Sequence, residues 1–404
     1  MRPHWIAAAA VILSLFALPA SAAPTRVELT WMSIANWYFK IGDKRIVMDG
    51  YITRVPGPPF FHSPPDFPGD LYAYTDKPYG IDRESVRKVH DAMLGNAKLD
   101  YLLVGHSHWD HSWDTPTWSK MTGAPMIGSQ TTCLQAAAQG ISSAQCRTVV
   151  GGERIELGGG ITIRVVRFNH SGDASNPIQH FARVLYRPPV PDAATGGFRA
   201  GVGEDYPNGG GNRAFLFTID GPDGQLTFFV NNSASAYDLD KPIIVDGVSY
   251  GSPLQNVAAA MKDAGLTHVD AWIGTGGEPV AKMLVPILHP KAYIPNHWDG
   301  LFNPFWKGMP YPFKDEALAA YLKAQDIELM PPHQYFDTYV LTKNGVAMEE
   351  NHAVKAKLGF PDRQPFTKAM LDAVTRVAST TMGEDCGEGF RYTPWATVLA
   401  SLRP

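Results

Sequence analysis

Cysteine is scarce in this 404-residue chain: only Cys133, Cys146 and Cys386 occur. None has the spacing of a zinc–thiolate site, which excludes a cysteine-built metal centre. An excess of charge of one sign is lacking too. Thirty-five Lys and Arg against 39 Asp and Glu leave a net charge of -4. There is no basic stripe and no acidic tail, which argues against nucleic acid as the main partner. Apolar runs of membrane-spanning length are missing after the first 20 residues, so no span is expected in the mature chain. No internal repeat recurs at a solenoid period.

What is present starts with a processing signal. Arg2 supplies a short positive region, Ile6 to Leu18 an apolar run, Pro19 a break, and Ala20-Ser21-Ala22 small residues for cleavage. Residues 1–22 therefore read as a signal peptide, and the expected location is periplasmic or secreted. No cysteine follows the cleavage positions, so lipid modification is not expected there. In an oxidising compartment Cys133 and Cys146 are a reasonable disulfide around a short helix at 134–138. Free buried thiols are the alternative.

The spacing predicts one large domain over 23–345, with insertions near 51–80 and 187–212 and a C-terminal extension over 346–404. Val27, Leu29 and Trp31 alternate with polar residues. Strands are expected at 36–41 and 45–48, the latter ending at Asp49. Residues 51–80 are too rich in proline for a helix or inner strand. Asp82 caps a helix over 83–94. Further strands read at 100–104, 125–128, 160–168, 214–219, 225–230, 269–273 and 292–295. Further helices read at 113–121 and 252–264. Strand–helix units flanked by hairpins imply an α/β layered fold.

The most informative feature is the run Gly105-His106-Ser107-His108-Trp109-Asp110-His111. Four potential metal ligands in six positions, just past an apolar strand, are costly near an interior unless a cation orders them. Along an extended chain, residues two apart share a face, so His106 and His108 can reach one ion. Asp110 and His111 lie where the chain turns toward a helix. His170 follows Phe168 and His297 follows Ile294-Pro295-Asn296 in the same way. Ligands gathered at strand ends are the usual arrangement in α/β sheets.

These residues resemble the metallo-β-lactamase fold superfamily, whose signature the His106-x-His108-x-Asp110-His111 run matches. The opening from Leu29 to Asp49 is similar to the branch that contains the ascorbate-phosphate lactonase and the N-acyl-phosphatidylethanolamine phospholipase D. The match covers roughly residues 27–300. The resemblance implies a four-layer αββα sandwich with a metal site at one edge of its two sheets. It implies a first site of His106, His108 and His170 and a second of Asp110, His111 and His297. Asp49 would brace ligands from behind. Two departures stand out. Where the family places a bridging aspartate this chain has Asn232, a poorer bridge, which weakens a second ion. Where members often carry Gly-His in the first hairpin, this chain has Ser33-Ile34.

The function that follows is an exported hydrolase using a Zn2+-activated water, with one or two ions, on an ester, lactone, amide or phosphodiester bond. Asp110 would orient the nucleophile or ligate the second ion. Aromatics at Tyr51, Phe60, Phe61, Trp109, Trp113, Trp298, Phe302, Phe305 and Trp306 point to an apolar small-molecule substrate, although core packing accounts for most of them. The alternative is a catalytically degenerate metal- or ligand-binding protein on the same scaffold. Asp173, Asp299 and His62 are expected to be solvated.

Overall fold

The computed structural model describes residues 25–55, 77–170, 184–200, 205–207, 211–368 and 370–371. The expected signal peptide, most of the proline-rich loop with His62, and Asp173, Cys386 and the end of the C-terminal extension lie outside these residues.

The chain opens as an antiparallel meander of β1 (Val27–Ser33), β2 (Asn36–Ile41) and β3 (Lys44–Met48). Gly42, at φ 59°, supplies the left-handed corner between β2 and β3. β3 pairs in parallel with β4 (Tyr101–Leu103), which continues to β5 (Met126–Gly128) and β6 (Cys146–Thr148). On the other side β1 pairs with β16 (Thr338–Thr342) and then β17 (Gly345–Glu349), which completes eight strands. The second sheet is built from β7 (Arg154–Gly158), β8 (Ile161–Phe168), β9 (Asn212–Gly221) and β10 (Gly224–Val230). Beyond them come β13 (Ala271–Gly274), β14 (Ala292–Pro295) and β15 (Glu328–Leu329), all parallel to β10. A separate hairpin of β11 (Ile244–Val245) and β12 (Val248–Ser249) follows β10 in the chain.

The sheets meet through aromatic rings. Phe39 on β2 sets its edge against Phe217 on β9 and Phe228 on β10, at 5.6 and 5.3 Å between centroids. All three are fully buried, and removing one such ring costs about 3–5 kcal/mol. Outside the first sheet lie α1 (Arg83–Met93), α3 (Thr115–Thr122) and α4 (Gln130–Ala138), with Val86 and Val89 of α1 turned inward. Outside the second lie α5 (Pro253–Ala264), α6 (Gly277–Leu288) and α7 (Glu316–Ala324). Val257, Met261, Val280 and Leu284 from these helices pack on Phe168, Leu216, Phe229 and Trp272. The order is helix, sheet, sheet, helix: the four-layer αββα sandwich that the resemblance implied.

Local chemistry sets the element ends. Asp82 caps α1 by accepting from the Ser85 N–H, as its position predicts. Ser252 and Gln255 form a reciprocal capping box on α5. The helix expected over 113–121 is α3, with Pro116 in its first turn, and a short helix not expected from the sequence, α2 (Trp109–Ser112), precedes it. The sandwich also runs past residue 345: β17 is its edge strand, and α8 (His352–Leu358) packs on α1. Cys133 on α4 and Cys146 on β6 are joined as a disulfide.

Candidate metal centre

Every predicted ligand among the described residues follows the end of a strand or opens the helix after it, and those ends share one edge. Asp49 follows β3, while His106 and His108 follow β4. Asp110 and His111 lie in α2. His170 follows β8, Asn232 follows β10 and His297 follows β14. The two sheets are stitched together there. The Arg213 N–H at the start of β9 donates to the Gly105 carbonyl at 2.8 Å. The Trp37 indole donates to Asn296 Oδ1 at 3.0 Å.

Two triads result. Ligand atoms of His106, His108 and His170 lie within 4.8 Å of one another, as do those of Asp110, His111 and His297. In the first, His106 Nε2 faces His108 Nδ1 at 3.2 Å. In the second, His111 Nε2, His297 Nε2 and Asp110 Oδ2 form a triangle of 3.1 Å edges. A single ion with bonds of about 2.0 Å sets tetrahedral donors about 3.3 Å apart. The second triad is therefore already near the edge length an ion imposes.

For His106, His108 and Asp110 the protonation states suit ligands, whereas an ion at His111 has to displace a favoured proton. Burial, together with the neighbouring imidazoles His111, His170 and His108, holds His106 well below the ordinary histidine range. Burial takes His108 down to about 4. Both rings are thus neutral at physiological pH, as a metal requires. For Asp110 burial works against the charge, but His111 and His297 outweigh it and keep the carboxyl well below the usual range. For His111 burial is outweighed by Asp110 and Asp49, so its pKa is raised.

Behind the triads, Asp49 is fully buried and fully engaged. Its Oδ1 accepts from the Gly105 N–H at 2.9 Å. Its Oδ2 lies 2.8 Å from His111 Nδ1 and accepts from Asn232 Nδ2 at 2.7 Å. A proton on His111 Nδ1 leaves the Nε2 lone pair to face the second triad, the bracing role that the resemblance implied. Asn232 holds a different place from the one implied by the resemblance. Its amide nitrogen is committed to Asp49, and its Oδ1 lies 3.3 Å from His106 Nδ1. In this arrangement Asn232 orients His106 and Asp49 rather than offering a free donor between the triads.

Three residues escaped sequence reasoning. Gly105 is needed because a methyl there would fall 1.9 Å from Asn232 Nδ2. Only the glycine's position between strand and ligand run could have signalled this. Asp299, expected to be solvated, is fully buried. Asp114 is also buried and accepts from the Ile52 N–H, Thr53 N–H and Thr53 hydroxyl at 2.7, 2.6 and 2.8 Å, pinning the segment after Asp49. Of the aromatics, Tyr51, Trp109 and Trp113 pack into a closed cluster with Phe198 and Tyr206 beside α2, so they support the ligand helix.

No protein-family model matches the chain. Over 82 residues it is 37% identical to a UPF0173 metal-dependent hydrolase of Pyrobaculum islandicum, covering 20% of this chain and 36% of that protein. Over 61 residues it is 41% identical to a UPF0173 protein of Pyrococcus furiosus, covering 15% and 28%. The chain thus spans about a third of the length of the curated relatives it matches. Among solved structures it is similar to Igni18, a metallo hydrolase from Ignicoccus hospitalis, at 15% identity and a TM-score of 0.44, covering 78% of this chain and 99% of that one. The isothiocyanate hydrolase from Delia radicum gut bacteria gives 12% identity and a TM-score of 0.43, covering 78% and 99%. Layer order and paired triads at the shared strand ends are the arrangement that the sequence resemblance to the metallo-β-lactamase fold implied.

Proposed function

We propose that the chain is an exported metal-dependent hydrolase acting on an ester, lactone, amide or phosphodiester bond of a small-molecule substrate. The observation that carries this reading is the pair of adjacent triads, five imidazoles and one carboxylate at a single sandwich edge. The donors fit a divalent cation. They are nitrogen and oxygen only, His106 and His108 are held neutral, and Asp110 is ionised. Mostly imidazole ligands in a hydrolase-type site favour Zn2+.

His106, His108 and His170 would hold one ion, and Asp110, His111 and His297 another. Such a cation, when bound, supplies Lewis acidity that lowers the pKa of water toward about 7 and polarises the oxygen under attack. The chain's own residues fix protons and orientation. Asp49 keeps a proton on His111 Nδ1, and Asn232 Oδ1 does the same for His106 Nδ1. Asp110 Oδ2 is the anionic acceptor at this edge. It serves the second ion or orients the attacking water.

Export is supported by the signal-like pattern of residues 1–22 and by the Cys133–Cys146 bond, which suits an oxidising compartment. Among the described residues no helix is long and apolar enough to cross a membrane.

The purified protein should contain zinc. His108→Ala should abolish turnover across a panel of esters, lactones, amides and phosphodiesters. Full activity after complete metal removal would refute the hydrolase mechanism. A second reading, a binding protein on the same scaffold, is favoured by the engaged amide of Asn232. Ligand binding with no turnover under saturating zinc or manganese would establish it. Mass spectrometry of the exported form should place its N-terminus near Ala23.

A further inference from the structure

The region around His297 carries an arrangement the metal ligands do not account for. His297 has a left-handed backbone, φ 59°, and so does Ile34 at the tip of the β1–β2 hairpin, φ 46°. A β-branched residue at positive φ is a true outlier and persists only where its surroundings over-determine it. Here the surroundings are visible. The Ile34 carbonyl accepts from the His297 N–H at 3.1 Å and from the Trp31 indole at 2.9 Å. The Ile34 N–H donates to Asp299 Oδ1 at 2.9 Å. The other oxygen, Asp299 Oδ2, accepts from the Tyr335 hydroxyl at 2.7 Å. Ile34, Asp299 and Tyr335 are all fully buried.

The hairpin tip and the loop carrying His297 therefore grip each other through both faces of one strained residue. Asp299 is the pin. It sits two residues past His297, captures the Ile34 N–H, and is tied through Tyr335 to the segment before β16. The contact also gives a role to Ile34, whose neighbour Ser33 is held separately by Asn36 and Arg54.

We propose that Asp299 is a positioning residue that sets the site of the second ion: through Ile34 and Tyr335 it fixes the backbone of His297, and with it the closure of the Asp110–His111–His297 triad. Among the described residues the grip joins Ile34 to Trp31, His297 and Asp299, and Asp299 to Tyr335, none of them in the first triad. His106 and His108 hang from β4, and His170 from β8. Asp299 thus acts selectively on the second ion. This inference rests on the reading of that triad as an ion site.

The test is a Zn2+ titration of the metal-free, full-length protein against a chromophoric chelator, with Co2+ absorption as a check on ligand geometry. Wild type should take up two ions with separable affinities. Asp299→Ala should weaken the second by roughly tenfold or more, the scale on which residues that orient ligands act, and leave the first within about twofold. Asp299→Asn, whose Oδ1 still accepts from the Ile34 N–H, should recover most of the loss. Should Asp299→Ala fail to fold, Tyr335→Phe removes one hydroxyl from the pin and should give the same selective loss at about threefold. Two ions bound by Asp299→Ala as tightly as by wild type would overturn the proposal. So would parallel weakening of both ions, which marks a purely structural role. A wild-type protein that never takes a second ion would instead overturn the reading of the triad on which the proposal stands.

Discussion

Adding a single methyl group at Gly105 is the sharpest probe of this centre. A Cβ there would lie 1.9 Å from Asn232 Nδ2, 2.3 Å from its Cγ and 2.5 Å from its Oδ1, where ordinary contact begins at 3.4 Å. The amide would have to retreat by about 1.5 Å, several times what a packed interior absorbs without strain. That retreat breaks the 2.7 Å bond to Asp49 Oδ2 and the 3.3 Å contact to His106 Nδ1. Overpacking costs about 1–3 kcal/mol. Each buried partner left unsatisfied adds about 1–3 kcal/mol. Gly105→Ala should therefore destabilise the metal-free protein by about 3–9 kcal/mol and weaken zinc binding at both triads, since His106 and His111 both lose their orientation. Thermal melting with and without chelator, together with a zinc titration, reads both effects. Asn232→Ala clears the space. In the Asn232→Ala background Gly105→Ala should cost at least about 1 kcal/mol less than in wild type, the coupling expected of groups in contact. A Gly105→Ala protein that melts with wild type and binds zinc equally well would refute the packing argument. Strictly additive variants would refute it too.

Other outcomes follow from the same structure. Asn232→Asp places a second carboxylate 2.7 Å from Asp49 Oδ2, so it should lower the melting temperature in chelator yet raise the affinity for a second divalent ion. Burial lifts Asp114 to about 6 from the ordinary value of 3.8. The folded state then holds this proton more tightly than the unfolded chain. The resulting stabilisation is present below about pH 4 and is lost as pH rises to about 6, up to about 3 kcal/mol. Asp114→Asn, unable to titrate, should lack that slope in denaturant titrations across the window. Replacing Cys133 and Cys146 by alanine reopens a loop with a sequence separation of 13 and should cost about 2–3 kcal/mol by chemical denaturation. No change on reduction of wild type would contradict this.

Much of the centre was legible because it obeys a rule local in sequence. An apolar strand such as β4 or β14 runs out, and a ligand type appears one to three residues later. The strand direction brings these ends together, so His106, His170 and His297 could be named by that rule, and His108 as the residue two beyond His106 on an extended chain. The helix cap at Asp82 and the pairing of Cys133 with Cys146 were readable for the same reason, since both depend on short-range geometry. Asp299 and Asn232 were misjudged because their places turn on contacts distant in the chain. Nothing near Asp299 in sequence shows that Ile34, 265 positions earlier, will present its N–H there. An acidic residue in a Trp-Asp-Gly stretch reads as solvated until the hairpin that buries it is in place.

Asn232 shows where resemblance and physics part. Aligned to a family pattern, an amide at a bridging position reads as an impaired ligand. In the folded chain it does what a carboxylate could not do at the same distance without a cation between. It donates to Asp49 Oδ2 while its oxygen faces His106. A carboxylate has no N–H to give, and at 2.7 Å from a second buried carboxylate it would be strongly disfavoured in the metal-free state. The substitution therefore trades a shared bridge for a centre held in order before any ion arrives. That makes a definite expectation for binding order. The three-imidazole triad should load first at near wild-type geometry, with the Asp110 triad following independently. The separation between the two affinities should narrow when Asn232→Asp restores a shared carboxylate.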